Sequence, residues 1–133
     1  SIIEVSPRAI QIASNKYELK FISNSSILES KIESKFDLVF TMGVLIHIHP
    51  DNLIDNLKKI YEYSSKFILI GEYFNRTPEM IKYQGKLNKL FKNNFGKIFK
   101  DNFDVRTCDY GFLWGEEYDS AGFDDITYWL FEK

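Results

Sequence analysis

Two histidines and a glutamate stand where chemistry can be done. His47 and His49 are one residue apart in Leu45-Ile46-His47-Ile48-His49-Pro50. In extended backbone that spacing points both rings to one side. Two imidazoles with no third ligand make a poor metal site, so no metal is expected. His47 has two readings. One is a general base for a hydroxyl or amine nucleophile, because imidazole titrates near neutrality. The other is a hydrogen-bonded structural histidine where a strand passes into a helix. His49, beside Pro50, reads as a helix-start residue. Glu72 ends the apolar run that begins at Phe67 and opens Glu72-Tyr73-Phe74-Asn75. There it can orient or deprotonate a nucleophile, while Tyr73 and Asn75 can bind hydroxyls of a polar substrate. The alternative is a loop anchored by its own hydrogen bonds. Tyr83, Asn88 and Lys89 lie in the next segment, which would cover a pocket at this place. Lys89 can meet a carboxylate or phosphate, or stand as a solvated lysine.

A second set of residues has the types that hold a ligand. Glu4 sits at the end of an opening apolar run, where one carboxylate can accept hydrogen bonds from two adjacent ribose hydroxyls; it also reads as a solvated surface glutamate. Met42-Gly43-Val44-Leu45 follows another apolar run. Gly43 removes a side chain where backbone must approach a ligand, and Val44 and Leu45 supply apolar contact. The alternative is a glycine-kinked strand end packed under a helix. Asn24-Ser25-Ser26 is a polar turn with hydroxyls free to accept or donate.

The elements that must position these residues follow from periodicity. Ser1–Val5 reads as a strand. Ser6-Pro7 is a helix start, the serine a cap and the proline in the first turn; Ala9, Ile10, Ala13 and Tyr17 then recur at helical spacing. Leu19–Ser23 reads as a second strand and Ile27–Lys35 as a short, weakly helical connection. Phe36–Thr41 is a third strand, apolar enough to be buried on both faces. Pro50 begins the strongest helix, with Leu53, Ile54, Leu57, Ile60 and Tyr61 on one face. Phe67–Glu72 is a fourth buried strand. Asn75–Gly85 reads as irregular and Leu87–Phe103 as a basic helix. Val105–Trp114 and Ile126–Phe131 read as closing antiparallel strands joined by the acidic loop Gly115–Asp125, with Tyr110 and Phe112 core residues. Strands alternating with helices imply an α/β fold with a mostly parallel sheet and helices on both faces.

Composition limits the function. At 133 residues, with 44% hydrophobic and 17% aromatic residues, the chain fits one domain, residues 1–133, with a substantial core. A net charge of −2 with mixed signs gives no basic stripe for nucleic acid. No apolar run reaches membrane-spanning length. The single cysteine, Cys108, excludes an internal disulfide and a cysteine metal site, and a reducing cytoplasm is the default location.

The order of elements, ending in a hairpin, resembles the Rossmann-like class I methyltransferase fold lacking its first strand, first helix and glycine-rich motif. Closer motifs follow the same order: LIHIHPDNL at Leu45–Leu53, GEYFNRTP at Gly71–Pro78, KLNKLFK at Lys86–Lys92, DYGF at Asp109–Phe112 and DDITYWLFEK at Asp124–Lys133. Together they resemble the pseudaminic acid biosynthesis-associated methylase family over Glu4 to Lys133. The resemblance implies S-adenosylmethionine as cofactor. It makes Glu4 the ribose-binding acid, and it sets Met42, Gly43, Val44 and Leu45 beside the adenine and methionine ends. It matches His47 to the histidine of the family's L-x-H-I segment, and Glu72, Tyr73 and Asn75 to its E-Y-x-N-x-T-P loop. Two features depart from it. The glycine-rich first motif is missing, and Ser25 stands where such enzymes usually carry an acidic contact to the adenine amino group.

The implied activity is methyl transfer from S-adenosylmethionine to a hydroxyl or amine of a sugar or nucleotide sugar in nonulosonic acid or surface-glycan biosynthesis. His47 and Glu72 are the candidate bases; Tyr73, Asn75, Tyr83 and Lys89 would contact the sugar. Two other readings stand beside it: a truncated, inactive methyltransferase fragment, and a non-catalytic module that binds a nucleotide sugar in the same cleft. A dehydrogenase fits the terminal hairpin less well.

Overall fold

The computed structural model describes residues 1–83, 85–118 and 125–133. The chain forms two compact units, Ser1–Ser34 and Lys35–Lys133. In the first, strand β1 (Ile2–Ile3) pairs in parallel with β2 (Ile22–Ser23), and helix α1 (Pro7–Lys16) connects them. Ser6 caps α1 as its spacing predicts, its hydroxyl accepting from the Ala9 N–H at 3.3 Å. No residue of α1 is buried. Ile27–Glu29 forms a turn and the rest of the stretch to Lys35 is irregular, in place of the expected weakly helical connection.

The second unit is built on a four-stranded sheet in the order β3-β4-β8-β7. These strands are β3 (Phe36–Met42), β4 (Ser64–Glu72), β7 (Arg106–Leu113) and β8 (Ile126–Glu132). β3 and β4 are parallel; β8 runs antiparallel to both its neighbours, β4 and β7, so the closing pair is the expected hairpin. Helix α2 (Pro50–Tyr63) connects β3 to β4. α3 (Phe95–Asn102) precedes β7, and the short α4 (Gly115–Tyr118) follows it. Ile68 and Ile70 on β4 and Phe131 on β8 point to one face of this sheet and are fully buried. Leu53, Leu57 and Ile60 of α2, with Phe95 and Phe99 of α3, complete that core, and Phe99 stacks on Phe131 at 5.2 Å. Burying an aromatic or large aliphatic side chain contributes roughly 1.5–3 kcal/mol, so this face supplies much of the unit's stability. Ile54, expected on the same stripe, faces solvent.

Three expectations change. First, Leu87–Phe103 is not one helix. Strand β6 (Lys86–Lys92) forms an antiparallel hairpin with β5 (Glu79–Tyr83), which replaces the expected irregular segment. Gly85, at φ +79°, makes the turn, and α3 starts only at Phe95, where the Asn94 side chain accepts from the Lys97 N–H. Leu87, Leu90 and Phe91 have helical spacing, but pairing with β5 overrides that weak preference. Second, the pairing is mixed rather than mostly parallel, because this hairpin and the insertion of β8 between β4 and β7 are antiparallel. Third, β3 is an edge strand, not one buried on both faces. Among the described residues it pairs only with β4, and Phe40 is 64% exposed. Tyr110 and Phe112 on the opposite edge strand, β7, are also exposed rather than core.

Candidate active site

The carboxyl ends of β3 and β4 hold most of the residues singled out in this unit. β3 ends at Met42, whose side chain packs onto Gly71 of β4, a position where any Cβ would collide with it. Gly43 then takes φ +63°, in the left-handed region that favours glycine, and its N–H donates to the Gly71 carbonyl at 2.8 Å. A Cβ at Gly43 would meet no atom within 4 Å, so the turn has an open side. Val44 is 41% exposed, whereas Leu45 and Ile46 are buried. Leu45, expected as an apolar contact for a ligand, therefore serves the core. Leu45–His47 form a single 3-10 turn before α2.

Glu72, the last residue of β4, is 0% exposed. Its Oε1 accepts the N–H groups of Val44 at 3.1 Å and Leu45 at 3.0 Å, and its Oε2 accepts that of Ile46 at 3.3 Å. Burial pushes its pKa up from the usual carboxylate value; the three N–H donors pull the other way without fully offsetting it. The Thr41 hydroxyl is buried without an ordinary hydrogen bond of its own, and it too favours the charged form of Glu72.

His47 is exposed, and its Nδ1 lies 2.9 Å from the Lys89 carbonyl oxygen on β6. A carbonyl only accepts, so Nδ1 carries the proton and Nε2 is the basic nitrogen of the neutral ring. His49 caps α2, its ring accepting from the Asp51 N–H, and meets Phe91 edge-on at 5.4 Å. It is the helix-start residue its place beside Pro50 implied. The backbone of Lys89 thus positions His47, while its side chain is exposed. Asn75 is occupied: its Nδ2 donates to Glu79 at 2.6 Å and its Oδ1 accepts from the Arg76 N–H, so it anchors its own loop. Tyr73 is half-buried with the Lys92 ammonium 5.6 Å above its ring. Lys92 and Gly71 were not singled out in the sequence; a glycine inside a buried apolar run was the available signal for the second. The Tyr83 and Asn88 side chains lie outside the described residues.

In the first unit Glu4 and Ser25 come together at neighbouring strand ends. Glu4 Oε1 accepts the Ser6 N–H at 2.8 Å. The Asn24 amide donates to the Glu4 and Val5 carbonyls at 2.9 and 3.0 Å, tying the two ends. The Ser25 and Ser23 hydroxyls share a hydrogen bond of 2.7 Å. Among the described residues there is no cluster of three metal-ligating side chains, and no helix is long and apolar enough to cross a membrane.

The fold is that of class I S-adenosylmethionine-dependent methyltransferases. 1,6-Didemethyltoxoflavin-N1-methyltransferase from Burkholderia thailandensis matches with a TM-score of 0.73 at 15% identity, over 98% of this chain and 59% of that one. The N-methyltransferase NodS from Bradyrhizobium japonicum matches at 0.70 and 17%, over 98% and 71%. Magnesium protoporphyrin IX methyltransferase from Synechocystis, solved with bound S-adenosylmethionine, matches at 0.66 and 12%, over 98% and 57%. The chain spans about three fifths of the first of these. No family model matches the sequence, and no curated protein matches it.

Proposed function

We propose that this chain is a methyl-transfer domain that takes S-adenosylmethionine and acts on a hydroxyl or amine of a sugar or nucleotide sugar, in pseudaminic acid or surface-glycan biosynthesis. The Gly43 turn carries the reading: a left-handed glycine with an open side, at the carboxyl end of a parallel strand in a methyltransferase fold. The residues at the Gly43 turn are of types that suit this cofactor. The open side of Gly43 admits a ligand against the backbone, and exposed Val44 beside it offers apolar contact. In the first unit, Glu4 is the proposed ribose acceptor and the Ser25 hydroxyl the proposed adenine contact. Bound S-adenosylmethionine supplies an electrophilic methyl carbon.

The chain's own residues would handle the acceptor. His47, its Nδ1–H held by the Lys89 carbonyl, takes the acceptor proton at Nε2. Tyr73 and the Lys89 ammonium bind polar groups of the sugar; Tyr83 is a further candidate contact. The sugar class is supported by the motif resemblance alone; two of the structural neighbours are named for acceptors of other kinds, 1,6-didemethyltoxoflavin and magnesium protoporphyrin IX. The test is methyl transfer to a panel of nucleotide sugars by wild type and His47→Asn. A hydroxyl acceptor should lose roughly 10²–10⁴-fold in rate in the variant; an unchanged rate would sink the base assignment.

A second reading, an inactive fragment of such an enzyme, is favoured by β3, which among the described residues pairs only with β4 and leaves Phe40 exposed. The strand that would carry a glycine-rich turn is expected to pair along that edge. Calorimetric titration with S-adenosylhomocysteine separates the readings: saturable one-to-one binding supports the enzyme, and its absence supports the fragment.

A further inference from the structure

A carboxylate buried away from any cation is costly unless hydrogen bonds replace its lost water. Glu72 offsets part of that cost with three consecutive backbone N–H groups, those of Val44, Leu45 and Ile46. These groups open the 3-10 turn, where intrahelical partners are missing. The Gly43 N–H donates to the residue before Glu72, so four successive amides are bonded to the end of β4. Glutamine could not replace this arrangement. It has one acceptor oxygen, and its amide N–H would face the Ile46 donor. The anion therefore specifies one backbone path for Gly43–Ile46. His47 continues that path, its own N–H donating to the Val44 carbonyl at 3.1 Å.

We propose that Glu72 is a positioning residue rather than a base: its carboxylate holds Gly43–Ile46 so that Gly43 and Val44 meet the cofactor and His47 meets the acceptor. This rests on the methyltransferase reading. Both oxygens of Glu72 face protein donors, so it acts through the turn and not on the reacting atoms.

The experiment combines titration with S-adenosylhomocysteine and amide hydrogen exchange on wild type, Glu72→Gln and Glu72→Asp. Glu72→Gln should lose about tenfold or more in affinity, as expected for an unpaired buried donor. Its exchange protection should fall at Val44, Leu45 and Ile46 while the β4 amides keep theirs. Glu72→Asp, shorter but charged, should bind more tightly than Glu72→Gln. A purely packing role predicts the reverse order, because Gln keeps the shape and Asp does not; that order, or wild-type affinity in Glu72→Gln, would overturn the proposal. If Glu72→Gln does not fold, Glu72→Asp against wild type carries the test: loss of local protection with unchanged affinity refutes the role. Wild type that fails to bind refutes the reading of this chain as a cofactor-binding enzyme and the role with it, an outcome separate from a variant that binds normally.

Discussion

Replacing Gly43 by alanine should separate stability from cofactor binding. Gly43 has φ +63°, and a Cβ there would meet no atom within 4 Å. The methyl group therefore fits, and the cost is conformational. A left-handed alanine costs about 1–2 kcal/mol. Restricting the unfolded chain returns about 0.4–1 kcal/mol. The net loss is about 1 kcal/mol, or roughly 3–5 °C in Tm for a chain of this size. Binding should respond differently, because the open side of Gly43 is where the cofactor is proposed to lie against the backbone. Calorimetric titration of Gly43→Ala with S-adenosylhomocysteine should show affinity reduced about tenfold or more, the equivalent of about 1.4 kcal/mol. Gly43→Asn sharpens the comparison: asparagine tolerates left-handed backbone better than alanine, so its Tm should fall less while binding is lost at least as fully. Unchanged affinity in Gly43→Ala would refute the assignment of that side to the cofactor. A stability loss above about 3 kcal/mol would refute the steric argument, since a left-handed backbone alone does not cost that much.

Three further outcomes follow from packing and charge. Gly96→Ala should destabilise the chain by about 1–3 kcal/mol, because its Cβ would stand 2.5 Å from three atoms of the rigid Trp129 indole; a rise in Tm on thermal melting would contradict that contact. Phe40→Ser should cost no more than about 1 kcal/mol, a third of the value of a fully buried phenylalanine, because Phe40 is 64% exposed; a loss above about 2 kcal/mol in denaturant unfolding would mean that something covers it. Glu72 has a pKa raised by burial, so the folded chain holds that proton more tightly than the unfolded chain. Its contribution to stability is fully present below the ordinary carboxylate range and is lost as pH rises through the raised value. The free energy of unfolding measured across that range should therefore fall with pH more steeply in wild type than in Glu72→Gln, and equal slopes would contradict the shift.

Sequence periodicity recovers the strand-helix-strand unit from Phe36 to Glu72 because its signals are local. An apolar run, a glycine, a proline at the first helical position and a repeating stripe each act within a few residues. The start of α2 and the β7–β8 hairpin are legible for the same reason. The β5–β6 hairpin is not, because Leu87, Leu90 and Phe91 satisfy a helical period as well as a strand, and only the partner strand chooses between them. The apolar composition of β3 suggests two buried faces, yet its exposure depends on which strands and helices stand beside it, which the run itself does not encode.

Glu72 marks where reading chemistry from residue type reaches its limit. A glutamate at the carboxyl end of a buried parallel strand suits a base in this architecture, and the same place suits an anion that gathers the amides of the neighbouring turn. Both need a carboxylate aimed across the strand ends, so type and position are identical in the two cases. The difference lies in what fills its acceptor sites. In this chain they are filled by Val44, Leu45 and Ile46, residues 26 to 28 positions away in the sequence. For His47, one ring nitrogen donates to a backbone carbonyl 42 positions distant, which sets the tautomer of the neutral ring. Of the two bases suggested by the sequence, the hydrogen-bond pattern therefore gives the glutamate to the turn that carries His47, and proton transfer by the histidine is the proposal that the His47→Asn rates test.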